Sequence, residues 1–400
     1  MKSISAAIIL ALGVAFAGGN ALAADGDTIK IGAMVSLSGG AVSIVGEDMR
    51  RGFKMALDEA NAKGGYKGTP FEMVVGDDQA NPTVAVGLAQ RLLVRDNVTA
   101  IVGMASSTVV KAVGSIAAQY KKPLFVVAGA SPIVEDAFGR EPWFFHFLPW
   151  EYYRAETAAA FLKSLQPVPQ TVAIAYENGV YGSGGAPIMK EHLEAAGFKV
   201  VAVESFKSGS PSVLPLLSRL KSENPDILVV MAFPTDDIVI MKQSREVDFS
   251  PKLVVLPEIV SKEQFGGTPS DFITGFATWA PESTYPESVR WLAAFRQIYP
   301  DRPEPLEYAP MSYMAMKMLL AAIVEVGPDS EAIIHRLETE KSDSPFGPVS
   351  FSDSKNGHHQ VLHGIDILQL QDGKKMVVYP PELANAKVMY PAPTWKDRAN

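Results

Sequence analysis

A rhythm constrains this chain most: short apolar runs of strand length alternate with longer amphipathic stretches, and the series occurs twice. In the first third of the 400 residues, apolar runs at 28–35, 71–76, 100–102 and 123–127 alternate with helical patterns at 47–61, 81–96 and 107–119. In the middle third, runs at 171–176, 200–206, 226–233 and 252–257 alternate with helical patterns at 185–196, 213–222 and 237–247. Strands separated by helices pair in parallel through right-handed crossovers. Two such series predict an α/β protein of two doubly wound Rossmann-like lobes, each presenting a ligand-facing strand edge. The last third is less regular. It predicts helices over 287–299 and 308–326 and strands over 347–351, 364–371 and 374–379, with Asp372-Gly373 as a hairpin turn. From 380 onward the chain is rich in Pro and Ala and is expected to wrap loosely over the surface. No short fixed period appears, which argues against a solenoid.

Lys2, the apolar run 6–17 and Ala21-Leu22-Ala23 form the pattern of a cleavable export signal over 1–23. The run is shorter than the roughly 20 residues that span a bilayer. The sequence holds no cysteine. That excludes disulfides, thiolate metal sites, a cysteine nucleophile and a lipid-modified cysteine at the signal junction. A free periplasmic protein is the expectation. The net charge of −8, with no basic stripe, argues against nucleic acid as a partner.

Several residues stand where ligand chemistry belongs, each with a plainer reading beside it. Ser106-Ser107-Thr108 lies between a strand and a helix. Its hydroxyls and amides suit an anion, or simply cap the helix. Gly129-Ala130-Ser131 follows a strand, and small residues admit close approach to backbone. Glu258 follows the apolar run ending at Pro257, either as an acid for a cation or as a solvated loop carboxylate. Tyr181 sits in the loop after the first strand of the second series, over a ligand or packed against the loop. The segment 143–153 holds seven aromatics. It reads as a hydrophobic plug where the lobes meet, or as a pocket wall through Trp150 and Tyr152; Phe233 is a further wall candidate. His358, His359 and His363 cluster, but strand alternation sends neighbours to opposite faces, so no metal is expected. No GxSxG elbow, Walker loop or nucleophile–base pair appears, so neither catalysis nor a cofactor is expected.

The order and spacing of several motifs carry a resemblance. They are Lys30-Ile31-Gly32 through Ser38-Gly39, Gly46 with Gly52, Asn61-Ala62-Lys63-Gly64-Gly65, Asp77-Asp78, Asn81-Pro82, and Ile101-Val102-Gly103 with Ser106-Ser107. Asp136, Tyr181-Gly182, Asn224-Pro225-Asp226, Pro257-Glu258 and Gly347-Pro348 continue them. Over nearly the whole chain beyond the signal they resemble the leucine/isoleucine/valine-binding family of type I periplasmic proteins, the substrate-binding proteins of ABC transporters. The resemblance implies lobe one at 24–147 plus 281–353, lobe two at 148–280 plus 354–380, and a tail at 381–400. Crossovers would fall near 146–150, 279–281 and 352–357. It implies that Ser107, Ala130 and Ser131 hold a ligand carboxylate, Glu258 its ammonium, and Tyr181 closes over it. The implied function is capture of a branched-chain or other hydrophobic amino acid by hinge closure and delivery to a membrane permease, by a monomer. An aromatic carboxylate, amide or related solute is the alternative, and an exported hydrolase the least supported. The sequence departs from the family pattern at Ser131 (often threonine), His146 (often arginine) and Val45 (an aromatic in some members). Ala80 and Ser106 replace two cysteines found in some members, which leaves that loop to packing alone.

Overall fold

Each strand series builds its own sheet. In the first, β1 (Ile29–Val35), β2 (Phe71–Asp77), β3 (Ala100–Gly103), β4 (Leu124–Val126) and β5 (Phe144–His146) run parallel in the order β2-β1-β3-β4-β5. In the second, β6 (Thr171–Glu177), β7 (Lys199–Phe206), β8 (Ile227–Met231), β9 (Leu253–Leu256) and β10 (Ile273–Ala277) repeat that plan as β7-β6-β8-β9-β10. The central strands are hydrocarbon runs buried along their full length, as in Ile227–Met231, because helices cover both faces of a parallel sheet. The computed structural model describes residues 28–265, 270–361 and 364–398. The expected signal at 1–23 and His363 lie outside the described residues.

Helices α1 (Ser43–Ala62), α2 (Pro82–Gln90), α3 (Ser107–Tyr120) and α4 (Pro132–Phe138) serve the first sheet. The second has α5 (Glu151–Ser164), α6 (Val180–Ala195), α7 (Leu214–Ser222) and α8 (Pro234–Glu246). The chain then returns through α9 (Pro286–Ile298), α10 (Tyr308–Val326) and α11 (Ser330–Glu338). Among the described residues α10 alone is long and apolar enough to cross a membrane, and most of it is buried inside the protein. It packs on α1, where Gly52 permits close approach: a Cβ there would fall 2.1 Å from the Ala309 carbonyl oxygen. Strands β11 (Lys341–Ser344), β12 (Gly347–Ser352) and β13 (Gln360–Val361) extend the first sheet beyond β5. The hairpin β14 (Asp366–Gln371) and β15 (Lys374–Tyr379) extends the second beyond β10.

Four local differences from the sequence reading have physical causes. The first sheet continues past 353, because Gln360 pairs with His146 and carries β13 beside β5. Strand β13 thus belongs to the first sheet, and β14, from Asp366, to the second. Helix α6 starts at Val180 rather than 185. The Glu177 carboxylate accepts the amides of Gly179 at 2.6 Å and Gly182 at 2.8 Å, satisfying donors that a helix start leaves open. The loop lacking cysteines is held by hydrogen bonds as well as packing: Ser36 Oγ donates to Asp78 at 2.5 Å, and Asp77 accepts Leu37 N at 2.9 Å. The tail is pinned rather than loose, with Trp395 buried and its Nε1 donating to the Phe249 carbonyl at 2.7 Å.

Candidate functional site

Both sheets turn the carboxyl ends of their strands toward one interlobe cavity, the position where open α/β sheets bind ligands. From the first sheet, the turns after β3, β4 and β5 contribute Ala105, Ser107, Ala128, Gly129, Ala130 and Leu148, and Val45 comes from α1. From the second, the turns after β8 and β9 contribute Ala232, Phe233 and Glu258, and the start of α6 contributes Tyr181. Arg154 on α5 and Tyr308 at the start of α10 complete the wall. Gly129 has φ +79°, and a Cβ there would strike Val110 at 2.8 Å; glycine keeps this turn tight against α3. The cavity measures about 20 Å³, room for about one water, so the lobes stand close together.

Side-chain hydrogen bonds are among the contacts that hold the lobes in this position. Ser131 Oγ donates to the Val180 carbonyl at 2.7 Å, and Val180 N donates to Thr108 Oγ1 at 3.1 Å. Arg154 donates to Glu307 at 3.3 Å, and Tyr308 OH to Glu258 Oε2 at 3.2 Å. The last two lie in the cavity wall or directly behind it.

The buried polar groups form one network. Arg154 also donates to Glu151 at 3.3 Å, and the Tyr181 hydroxyl favours the ionised form of the same carboxylate. Glu307 further accepts Thr278 N at 2.5 Å and Thr278 Oγ1 at 2.7 Å. Burial works against the charge on Arg154, but Glu151, Tyr181 and Glu307 outweigh it and keep the guanidinium ionised. Burial raises the Glu151 and Glu307 carboxyls, with Arg154 opposing in both cases. It pushes Glu258 up to about 8, against the opposing charge of Arg154. The phenols of Tyr181 and Tyr308 are raised by burial first and then by Glu151 and Glu258 respectively, so both remain hydrogen-bond donors at neutral pH. Asp237 on α8 is buried beside this cluster, with neither oxygen hydrogen-bonded among the described residues. Burial and the Glu258 charge hold its carboxyl well above the usual range.

The structure brings Ser107, Ala130, Tyr181, Phe233 and Glu258 together in the cavity wall. Tyr181 stands in the first turn of α6, not in a loop. Ser131 lies outside the wall: its hydroxyl spans the lobes and its amide donates to Ser107 Oγ at 3.3 Å. Trp150 stacks on His146 with centroids 3.6 Å apart, and Tyr152 OH donates to Glu135 at 3.0 Å; neither fronts the cavity. Of the run 31–40, no residue lines it. Sequence reasoning did not select Arg154 or Tyr308. The available signal was Glu151 and Arg154 at i, i+3 spacing at the end of an aromatic segment that reaches into the expected crossover. Among the described residues no His, Asp and Glu cluster has metal-ligand geometry; His358 bonds Asp353, and His359 faces Glu338 at 3.5 Å.

Comparison with known proteins agrees with this architecture. The model of the family described as periplasmic binding protein matches residues 28–375. A Leu/Ile/Val-binding protein homolog 7 of Brucella abortus (strain 2308) is 24% identical over 402 residues, covering 96% of this chain and 99% of that one. The branched-chain amino acid transporter substrate-binding protein of Streptococcus pneumoniae, solved with isoleucine, superposes with a TM-score of 0.78 at 21% identity, covering 91% of this chain and 100% of that one. A solute-binding protein of an ABC transporter from R. palustris, solved with benzoate, gives 0.78 at 18% identity, covering 92% and 97%. The chain belongs to the periplasmic binding protein family. Within it, this is a type I protein of the kind related to leucine/isoleucine/valine binders.

Proposed function

We propose that this protein is the solute receptor of an ABC importer, that it captures an α-amino acid between its lobes in the periplasm, and that it delivers the solute to a membrane permease as a monomer. The observation that carries the reading is Glu258, buried in the cavity wall of lobe two, across from Ser107 and Ala130 of lobe one. A carboxylate facing hydroxyl and amide donors across a closed cleft is a site for a zwitterion. The ligand carboxylate meets Ser107 at the start of α3, where the helix dipole favours an anion, and the Ala130 amide in the turn after β4. Its ammonium meets Glu258, and Val45, Leu148 and Phe233 accommodate apolar parts of the solute. A buried acid of this kind penalises solutes that lack the positive charge. Closure of the lobes by hinge bending removes the solute from water and changes the surface shown to a permease. Calorimetric titration of ligand-stripped protein with the twenty amino acids tests the reading, with leucine, isoleucine and valine as the first probes. Saturable binding of at least one supports it, and no binding at millimolar concentration to any overturns it.

Arg154 in the same wall, with the Tyr181 and Phe233 rings nearby, favours a second reading in which an aromatic carboxylate is the solute. Tryptophan quenching by benzoate, without quenching by any amino acid, would put that reading first.

A further inference from the structure

One buried charge in the cavity wall is left unused when a zwitterion is placed between Glu258 and Ser107. Arg154 is 2% exposed and fronts the cavity. A guanidinium has five N–H donors. Glu151 and Glu307 each take one, both at 3.3 Å. Nε is buried without an acceptor among the described residues. One face of the group lies over Phe276, 5.7 Å from the ring centroid, so its remaining donors point along the guanidinium plane. Two carboxylates and an aromatic ring hold this side chain in place, and a buried donor left unmatched is costly.

We infer that Arg154 reads the side chain of the solute. The site takes an amino acid whose short side chain ends in an uncharged oxygen acceptor, a carboxamide in the first instance, in preference to a hydrocarbon of the same shape. The inference rests on the amino acid reading and narrows it away from the branched-chain set. Position separates a carboxamide from a carboxylate: Glu151 and Glu307 already take one donor each from the guanidinium and Glu258 stands in the same wall, so a further carboxylate would compete with acids already in place. A carboxamide supplies the acceptor without the charge. A hydrocarbon leaves the guanidinium edge unpaired in a buried cavity, which is how hydrogen-bonding sites reject analogues lacking the polar group.

Leucine, asparagine and aspartate have side chains of nearly one shape and three chemistries. Calorimetric titration of the ligand-stripped full chain with these three reads the assignment directly. Asparagine is expected to bind at least about tenfold tighter than leucine, and tighter than aspartate. Arg154→Met is expected to abolish the asparagine-over-leucine ratio. Glu307→Gln weakens the same interlobe contact but keeps the guanidinium, and is expected to retain that ratio. Leucine binding as tightly as asparagine, or tighter, overturns the assignment and leaves the amino acid reading standing. An Arg154→Met protein with the wild-type ratio overturns it as well. Absence of binding by every amino acid overturns both readings.

Discussion

Glu258 carries the electrostatic consequence of the site at the residue scale. An ammonium is attracted to its carboxylate and not to the neutral acid. With the carboxyl raised to about 8, most of it is protonated at neutral pH, so ammonium binding expels a proton. The affinity for an amino acid is therefore expected to rise between pH 6 and 8, by up to about tenfold per unit. Calorimetry in phosphate and Tris should show proton release at pH 7. Glu258→Gln should bind more weakly and show no such slope; a wild-type affinity flat across this range would contradict the assignment. Ser131 acts through lobe contact rather than ligand contact. Ser131→Ala removes one interlobe hydrogen bond, about 1 kcal/mol, and should weaken every ligand about fivefold without reordering them. A changed order of ligands would instead put its hydroxyl on the solute.

At the scale of elements, the buried ion pair between α1 and the segment entering α10 is the most exposed to mutation. Asp48 is fully buried, accepts two bonds from Arg302 at 3.0 Å each, and takes Leu306 N at 2.7 Å. Asp48→Ala leaves a guanidinium and an amide without their acceptor and should cost about 3 kcal/mol, read by urea denaturation. The parallel strands were legible in the sequence because unbroken hydrocarbon runs suit sheets covered on both faces, and α10 was legible from its apolar length. Helix α5 was not. Its aromatics read as a plug where the lobes meet or as a pocket wall, with no helix expected there, whereas the segment from Glu151 is helical and both Glu151 and Arg154 are buried. Arg154 is paired in its buried position with Glu307, 153 residues away in the chain, and no local spacing announces such a partner. The same limit separates Ser131 from Ser107: adjacency to a strand end marked both as ligand groups, and only the approach of Val180 from the other lobe distinguishes them.

For the whole molecule, the acids buried in and around the interlobe network tie stability to pH. Glu151, Glu258 and Glu307 are raised by burial, and Asp366 is raised to about 6. The folded protein thus keeps protons that the unfolded chain loses above about pH 4.5. Their contribution to stability is complete below that pH and is lost as pH rises through the folded values. The melting temperature of ligand-free protein is expected to fall from pH 5 to 8, and bound solute should reduce the fall; a rise over that range would contradict the buried-acid network. The central claim is that a zwitterion, held at both charges, bridges the lobes. Its most direct test is calorimetric titration of the best-binding amino acid against its des-amino analogue, which keeps the carboxylate and side chain and lacks only the ammonium. The account predicts that the analogue binds at least about a hundredfold more weakly, since it leaves Glu258 without its cation. Equal affinity of the two would contradict it.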